Sequence, residues 1–294
     1  MYLISYIILY PFIFLMSRMP FWLAYLVSDL LYYISYYIIG YRKKEVFYNL
    51  KLVFPEKSEE EIIQIAKDFY AHFGDIIMEA VKAFAMSNKE MYKRYHYKNP
   101  EIFRELFDKK KSVALVGSHY ANWEWIVHVS NFAPHKSYGT YTKLKNPYFD
   151  KLIRDSRGRH GGYLITTNET IPTVISNSKN NILGIYGLVS DQSPMIQKAQ
   201  YWRNFMGIKV PVHTGAENLA KKYDLAVVFF DVKKIKRGYY EVTFKLIAED
   251  ASQYKNFEIT DRYIDIVEDQ IKRKPSLYFW THKRWKHKDK APVN

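Results

Sequence analysis

The spacing of hydrophobic positions changes along this chain, and the longest apolar stretch comes first. Residues 1–17 carry no charged side chain, and Asp29 is the only one between residues 19 and 40. A bilayer core needs roughly 20 helical residues, so residues 21–40 are long enough to span it. The first 17 residues are marginal, and Pro11 interrupts them. We predict a hydrophobic membrane anchor over residues 1–44, with one span and with or without an interfacial helix. A tight hairpin and a buried helical pair are the alternatives.

A basic cluster predicts the orientation of this segment. Tyr41-Arg42-Lys43-Lys44 follow the apolar stretch directly, and basic residues flanking a span stay on the cytoplasmic side. The bulk of the chain is therefore expected in the cytoplasm. We expect the anchor to be retained, because neither a basic start nor a small-residue cleavage site accompanies the apolar run.

Helical and strand-like patterns alternate beyond the anchor. Ser58 and Glu61 match a capping box, and the helical apolar spacing that follows predicts a long helix from about Glu59 into residues 78–84. Short apolar runs predict buried strands over residues 112–117 and 181–189. Amphipathic stretches predict helices over residues 146–157 and 216–222. This alternation indicates an α/β fold.

The clearest hairpin is predicted over residues 225–232 and 239–246, joined by a Lys-Arg-Gly turn at residues 236–238. In its second strand, Tyr240 and Val242 fall on one face and Glu241 and Thr243 on the other. The chain has no internal repeat and no Pro/Gly-rich joint. We therefore expect residues 45–294 to form a single domain.

Composition narrows the classes of partner. With 48% hydrophobic residues the chain can bury a core, and the formal net charge of +14 favours an anionic partner: nucleic acid, an acidic protein or an anionic membrane. The absence of Cys excludes disulfides, thiolate metal sites and a Cys nucleophile. Because no helix-turn-helix, zinc-finger or RNA-binding aromatic motif is present, nucleic acid is not expected. The basic residues at positions 272–290 are interpreted as a solvated or headgroup-facing surface.

Candidate chemistry lies directly after the predicted strand at residues 112–117. The segment reads Gly117-Ser118-His119-Tyr120-Ala121-Asn122-Trp123-Glu124. A His and a Glu five residues apart lie on different faces of an α-helix, so pairing requires a turn at a helix start. In such a turn Glu124 could accept a hydrogen bond from one imidazole nitrogen, leaving the other to take a proton from a hydroxyl. Backbone N–H groups of residues 117–120 could meet a developing oxyanion.

The spacing itself is weak evidence for catalysis. The chain contains a second His-x4-Glu match, His96 to Glu101, in a polar stretch with no apolar strand before it. By spacing alone, a core or capping histidine is the commoner use of a residue such as His119. The position after a buried strand is what favours the catalytic interpretation.

Several blocks, in their order and spacing, resemble the late acyltransferases of lipid A biosynthesis, which add secondary lauroyl or myristoyl chains, within the lysophospholipid acyltransferase superfamily. They cover nearly the whole chain: Gly40-Tyr41-Arg42-Lys43-Lys44, Asn49-Leu50, Phe54-Pro55-Glu56, the His119 to Glu124 block, Tyr141, Asn146-Pro147, Asp191-Gln192, Phe205-Met206-Gly207, His213-Thr214-Gly215 and Trp280-Thr281-His282-Lys283-Arg284-Trp285-Lys286. The chain departs from the family at Tyr141-Thr142-Lys143, where many members have Tyr-Arg.

The resemblance implies a fold and four site residues. The fold is a mixed central sheet flanked by helices, as in glycerolipid acyltransferases. His119 and Glu124 are implied as the catalytic base and its orienting partner. Arg157 and Asp191 occupy the positions of two further functional residues, and we expect them to bind substrate, with Arg157 a candidate phosphate fork. A surface position for Arg157 and a turn role for Asp191 are the alternatives.

The reaction implied is transfer of a fatty acyl group from an acyl thioester to a hydroxyl of a lipid A precursor. It is expected at the cytoplasmic face of a bacterial inner membrane. The donor is expected to be acyl carrier protein or a coenzyme A thioester, with no metal and no cofactor beyond that co-substrate. A lysophospholipid or aminolipid acceptor is the alternative within the same chemistry. A membrane-tethered basic binding protein without catalysis is the alternative of another class.

Overall fold

A computed structural model describes residues 2–158 and 161–292 and shows an α/β fold. Its helices are α1 (Tyr2–Arg18), α2 (Phe21–Tyr33), α3 (Lys43–Val53), α4 (Glu59–Ala83), α5 (Asn88–Arg94), α6 (Glu101–Asp108), α7 (Pro147–Gly158), α8 (Thr170–Lys179), α9 (Gly215–Tyr223) and α10 (Glu258–Arg273). Its strands are β1 (Tyr95–Tyr97), β2 (Ser112–Gly117), β3 (Lys136–Tyr141), β4 (Gly162–Thr166), β5 (Gly184–Val189), β6 (Tyr201–Phe205), β7 (Ile208–Val212), β8 (Leu225–Lys236) and β9 (Tyr239–Ala248).

The central sheet has seven strands in the order β1-β9-β8-β2-β5-β3-β4. Strands β8, β2, β5, β3 and β4 are mutually parallel, whereas β9 runs antiparallel to β8 and β1 runs parallel to β9. The predicted mixed sheet flanked by helices is confirmed. The predicted strand at residues 112–117 and the hairpin of β8 and β9 are also confirmed, and both hairpin strands extend beyond their predicted ends. A separate antiparallel hairpin is formed by β6 and β7.

The long helix α4 begins and ends close to the predicted bounds. Ser58 accepts the backbone N–H of Glu61 and Glu61 accepts that of Ser58, which completes the predicted capping box. Its buried face packs against α1, α2 and α3. That face contains two carboxylates, Asp75 and Glu79, four residues apart and both buried. Buried carboxylates require hydrogen-bond or ionic partners, and these come from α2, from the β8–β9 hairpin and from the turn after β2.

The N-terminal apolar segment is divided differently from the prediction. Helix α2 passes into a π-helical turn (Ile34–Ile38), and Gly40 follows with φ of +63°. Among the described residues no single helix is both long and apolar enough to cross a bilayer. Phe21–Ile38 and Lys43–Val53 meet those criteria only as a pair, and they are bent by 85°. The anchor predicted over residues 1–44 therefore stays a prediction.

The carboxyl edge of the parallel strands positions the polar residues predicted from sequence. Gly117, the last residue of β2, is paired with Val189, the last residue of β5. His119 and Asp191 each follow their strand by two residues. Polar groups at the carboxyl ends of neighbouring parallel strands lie at a common crevice, and the site is built there.

Candidate active site

The turn that carries His119 is tightly constrained. A Cβ on Gly117 would lie 2.1 Å from the Phe230 ring, so only glycine fits at this strand end. Ala121 adopts φ of +50°, a left-handed conformation that is uncommon for a residue with a side chain. The Ala121 N–H donates to the carbonyl of Leu277 at 2.9 Å, and the His119 carbonyl accepts the N–H of Phe279 at 3.1 Å. Contacts with the C-terminal segment therefore hold the turn in place.

His119 is paired with Asp191. The imidazole Nδ1 lies 2.7 Å from Asp191 Oδ1, and the His119 backbone N–H donates to Asp191 Oδ2 at 3.2 Å. Because an ionised carboxylate only accepts, this contact assigns the proton to Nδ1 and leaves Nε2 unprotonated, with a lone pair that can accept. Nε2 faces the side-chain amide of Gln192 at 3.4 Å. The imidazole thus has the tautomer that a general base needs.

The charges at His119 and Asp191 stabilise an imidazolium–carboxylate ion pair once His119 takes up a proton. Burial alone would lower the pKa of His119, but the charge and hydrogen bond of Asp191, with the charge of Glu124, raise that pKa above its ordinary value. Burial alone would raise the pKa of Asp191, whereas the His119 imidazole and its backbone N–H bring that pKa below its ordinary value. The Asp191 side chain is 1% exposed and that of His119 22% exposed. The Asp191 carboxylate is therefore enclosed, while the His119 imidazole reaches the cleft.

The predicted partner of the imidazole is wrong. The carboxylate that is hydrogen-bonded to His119 belongs to Asp191, whereas Glu124 forms an ion pair with Arg157. Glu124 also accepts from the indole N–H of Trp123 at 3.2 Å. It begins a 3-10 helical segment (Glu124–Asn131) and acts on the imidazole through its charge. His119 and Glu124 therefore line the same cleft but are hydrogen-bonded to different partners.

The predicted substrate-binding residues are both at the site, in unexpected contacts. Arg157, on the last turn of α7, lines the cleft and is 28% exposed, so it lies neither on the outer surface nor unpaired. Asp191 is bonded to the base rather than facing the cleft. These contacts suit Asp191 better to orienting the imidazole than to binding substrate. The substrate role of Arg157 stays a prediction.

The backbone donors predicted for an oxyanion are largely used inside the turn. The N–H of His119 donates to Asp191, and the N–H of Tyr120 donates to the carbonyl of Ser118 at 2.8 Å. Arg157 is the cationic donor on the cleft wall nearest to Glu124. It is therefore a better candidate than the backbone of residues 117–120 for stabilising negative charge on a substrate oxygen.

His119 opens into a cleft of about 380 Å³. Its lining includes His119, Trp123, Glu124, Thr140, Thr142, Arg157, Thr167, Val189 and Gln192. On one side the cleft adjoins a narrow apolar crevice between the sheet and the 3-10 helical segment, and the two share Leu115, Ile126, Val127, Gly139, Arg157 and Gly187. On the other side it adjoins an open groove lined by hydroxyl and amide groups together with apolar side chains. The cleft and this groove share Thr140, Thr142, Thr167, Val189 and Gln192.

The basic C-terminal stretch is only in part the solvated surface that was predicted. Its lysines at positions 272, 283, 286 and 290 are exposed, but Trp280, Arg284 and Trp285 are buried, each 1% exposed or less. Arg284 donates to the carbonyl of Pro211 at 3.2 Å. The aromatic residues of this stretch therefore belong to the core that supports the His119 turn.

Sequence reasoning missed the groups that support the turn. Ser118 donates to Gln270 of α10 at 2.5 Å, and the Tyr263 hydroxyl donates to the Gly117 carbonyl at 2.8 Å. Asn122 donates to Glu79 at 2.6 Å. The one signal in the sequence was the presence of two acids on the apolar face of α4.

Among the described residues, no group of three or more potential metal-ligating side chains is arranged to hold an ion.

Two comparisons with known proteins bear on this site. The sequence model of a family described as bacterial lipid A biosynthesis acyltransferase matches residues 2–287. The lipid A biosynthesis lauroyltransferase of Escherichia coli (strain K12) is 24% identical over 247 residues, which are 83% of this chain and 79% of that protein. The family match includes the His119 turn, Arg157 and Asp191.

Proposed function

Since this chain belongs to the bacterial lipid A biosynthesis acyltransferase family, we propose that it transfers a fatty acyl group from a carrier-bound thioester to a hydroxyl of a lipid A precursor, at the cytoplasmic face of the inner membrane. One observation carries the chemistry. His119 presents an unprotonated Nε2 to a cleft while a buried carboxylate fixes its other nitrogen. This is the arrangement of a general base poised for a hydroxyl.

The proposed step is direct acyl transfer. His119 Nε2 takes the proton of the acceptor hydroxyl as its oxygen attacks the thioester carbonyl carbon. Asp191 balances the imidazolium, and Arg157 stabilises the oxyanion of the tetrahedral intermediate. The intermediate collapses by breaking the C–S bond, and the thiolate takes the proton back from the imidazolium. An ester and a free thiol are formed, with no covalent enzyme intermediate.

The narrow crevice next to the cleft, about 50 Å³ in volume, matches an acyl chain in its apolar lining. Its walls are side chains from β2, β3, β4, β5 and the 3-10 helical segment, and Gly139 and Gly187 lie side by side on neighbouring strands. Because these two residues have no side chain, they leave the space open. With the thioester carbonyl at His119, the chain would extend into this crevice.

Filling the crevice should change the preferred chain length. A Cβ on Gly187 would make ordinary contacts, 3.5 Å from the Tyr138 carbonyl oxygen and 3.8 Å from Gly139 Cα, so larger side chains should be accommodated by the backbone. In Gly187→Leu we expect the ratio of kcat/KM for a long acyl thioester to that for a short one to fall about 10-fold or more. Gly187→Ala should give a smaller shift in the same direction.

The matched control is Gly215→Ala, because Gly215 borders the groove on the other side of the cleft rather than the crevice, and its Cβ would meet nothing within 4 Å. Its chain-length preference should equal that of the wild type. An unchanged preference in Gly187→Leu would place the acyl chain elsewhere.

The hydroxyl-lined groove on the other side suits a polar headgroup. Thr142, Thr167, Ser193, Gln192 and His213 all contribute to it, and neutral donors and acceptors of this kind match the hydroxyl groups of a sugar. A lysophospholipid or aminolipid acceptor would need fewer of them. This lining supports the lipid A precursor as acceptor.

Mass spectrometry can test the reaction. Purified protein is incubated with an acyl-carrier thioester and, separately, with a lipid A precursor, a lysophospholipid and an aminolipid. We expect one added acyl ester on the lipid A precursor. Acylation of another acceptor would move the proposal to that lipid, acylation of nitrogen would exclude O-acyl transfer, and no thioester consumption would favour the non-catalytic binding protein.

The net charge of +14 supports an acidic donor protein and an anionic membrane surface. Exposed charges are screened over about 10 Å at 0.1 M salt, so we expect the KM for an acyl carrier protein thioester to rise several-fold between low and physiological ionic strength. A neutral acyl-pantetheine thioester is the matched control and should respond little. Equal behaviour of both donors would show that protein charge plays no part in donor binding.

Exposed apolar side chains support attachment to a membrane. Most of the exposed large hydrophobic side chains among the described residues lie between Tyr2 and Tyr48, including Leu15 and Trp22, each 66% exposed, and Ile38, 76% exposed. Contiguous apolar surface of this kind marks a contact with lipid or protein. We place the outer faces of α1 and α2 in the inner membrane, with the cleft opening on its cytoplasmic side.

A further inference from the structure

Glu79 lies at the meeting point of three elements. This carboxylate, in the last two turns of α4, is 0% exposed. It accepts the hydroxyl of Tyr25 from α2 at 3.0 Å, the hydroxyl of Tyr240 from β9 at 2.9 Å, and the side-chain amide of Asn122 from the His119 turn at 2.6 Å. A single carboxylate thus joins a hydrophobic N-terminal helix to the turn that carries the base.

Asn122 transmits this contact to the backbone of the turn. Its side chain is fully buried, and its Oδ1 accepts the backbone N–H of Trp125 at 3.1 Å. Its backbone carbonyl accepts the hydroxyl of Tyr95 at 2.9 Å. Because Oδ1 is occupied by Trp125, the amide N–H₂ is the end left to meet Glu79. The carboxylate therefore fixes the orientation of Asn122 directly after the strained Ala121.

The same region clamps α2 in position. Asp75, one turn before Glu79, accepts from Ser28 of α2 at 2.8 Å and pairs with Arg237 at 2.7 Å. Arg237 also pairs with Asp29 of α2 at 2.6 Å. With Tyr25, these contacts bring two positions of α2 directly onto the buried acids of α4, and Asp29 is linked to Asp75 through Arg237. The position of α2 is thus tied to the ionic network beneath the turn.

The state of Glu79 depends on this surrounding network. Burial and the neighbouring charge of Asp75 raise the pKa of Glu79 to about 7, against the lowering effect of Lys234 and of the hydrogen bonds from Tyr240 and Tyr25. Three donors converge on the carboxylate, and at least one of them, the Asn122 amide, cannot accept in return. The contacts made by Glu79 are therefore complete when it is ionised and α2 is seated.

We propose that Glu79 is a positioning residue that couples the seating of α2 to the geometry of the His119 turn. The proposal rests on the proposed function, because the turn matters for catalysis only if His119 is the base. Its consequence is that the contact of α2 with its surroundings reaches the active site through two hydrogen bonds, Tyr25 to Glu79 and Glu79 to Asn122. Through these hydrogen bonds the Glu79 side chain can then control how accurately the His119 imidazole is oriented.

The test uses the full-length protein with Glu79→Gln, Tyr25→Phe and both together. Glutamine removes the negative charge and replaces one acceptor oxygen with an N–H₂ donor, so either Tyr25 must reverse its hydrogen bond or Asn122 loses its acceptor. We expect kcat to fall about 10- to 100-fold in Glu79→Gln, as for a misaligned catalytic group, with KM little changed. Tyr25→Phe should lower kcat less, and the double variant should be no worse than Glu79→Gln alone, because both changes act through one path.

The matched control is Glu217→Gln. Glu217 is also a buried carboxylate with several donors, from Phe257, Thr260 and Lys221, but none of them belongs to the His119 turn. Glu217→Gln should lower the melting temperature, while the kcat of the folded protein should stay at the wild-type value. If Glu79→Gln behaves in the same way, with normal kcat at a reduced melting temperature, Glu79 is structural only and the proposal is overturned.

A readout independent of turnover separates the two hypotheses. The ¹⁵N signals of the His119 imidazole, assigned by comparison with His119→Gln, should shift in Glu79→Gln and in Tyr25→Phe but not in Glu217→Gln. If these signals move while the wild type acylates no acceptor, the coupling stands and the proposed function fails. If the wild type is active and neither signals nor kcat respond in Tyr25→Phe or Glu79→Gln, the coupling fails and the function stands. Should Glu79→Gln not fold, Tyr25→Phe alone decides.

Discussion

Replacing His119 with alanine is expected to lower kcat for acyl transfer about 10²- to 10⁴-fold, the usual contribution of a general base. The imidazole is the group whose unprotonated nitrogen faces the cleft, where we propose that the acceptor hydroxyl binds, and its other nitrogen is held by Asp191. The change removes the base without disturbing the backbone contacts of the turn. The measurement is the initial rate of ester formation at saturating acyl thioester, with membrane attachment and melting temperature recorded in parallel.

The second His-x4-Glu match supplies the matched control. His96 has the same spacing to a glutamate as His119, but it is exposed on the short edge strand β1. His96→Ala should keep the wild-type rate. Full turnover in His119→Ala, or equal losses in both variants, would show that His119 is not the base.

Local patterns predicted most of the elements. The apolar run of β2, the capping box of α4 and the alternation in β9 each depend on neighbours within a few residues, so their bounds were close to those observed. The strand predicted over residues 181–189 begins later, at Gly184, because Asn181 adopts φ of +54° and belongs to the turn after α8. A positive φ at a residue other than glycine is not evident from apolar spacing.

The partner of the base could not be predicted from spacing within one segment. Asp191 meets His119 because β2 and β5 are parallel neighbours whose last residues are in register, and the chain between them includes two further strands and two helices. Glu124 is five residues from His119 and Asp191 is 72 residues away. Only the tertiary fold shows that the more distant carboxylate is the one hydrogen-bonded to the imidazole. The four residues that the resemblance implied lie close together, and the register of the strands decides which of them touch.

The buried acids of α4 show a different limit. Asp75 and Glu79 are acidic residues on a helical face that is mostly apolar, and the sequence alone does not explain why they are there. Their partners come from α2, from β8 and β9 and from the turn after β2, so the reason for the conflict appears only when all of these are assembled. Such conflicts between local pattern and burial are typical of functional positions.

Replacing Asp191 with asparagine is expected to lower kcat by about 10³- to 10⁴-fold, as wrong-tautomer variants do when a carboxylate orients a catalytic histidine. Asparagine can keep the hydrogen bond from the His119 backbone with its oxygen, which turns its N–H₂ group toward Nδ1. The proton is then forced onto Nε2, and that nitrogen can no longer accept from the substrate hydroxyl. The measurement is kcat/KM as a function of pH.

The pKa of His119 determines the direction in which activity changes with pH. The base works when neutral, and the pKa of His119 is raised above its ordinary value, so wild-type activity should fall as the pH drops through a value above about 6.5. In Asp191→Asn the charge that raises this pKa is lost and the lowering effect of burial remains. The acid limb of the residual activity should therefore move to lower pH.

Glu124→Gln is the variant that discriminates between the two carboxylates. It removes one charge that raises the pKa of His119 and breaks the ion pair with Arg157, but it leaves the Asp191 hydrogen bond and hence the tautomer intact. We expect a smaller fall in kcat than in Asp191→Asn and a smaller downward shift of the acid limb. If instead Glu124→Gln were the more damaging change and Asp191→Asn left the profile in place, the orienting carboxylate would be Glu124 in the working enzyme. The turn would then have to rearrange on substrate binding.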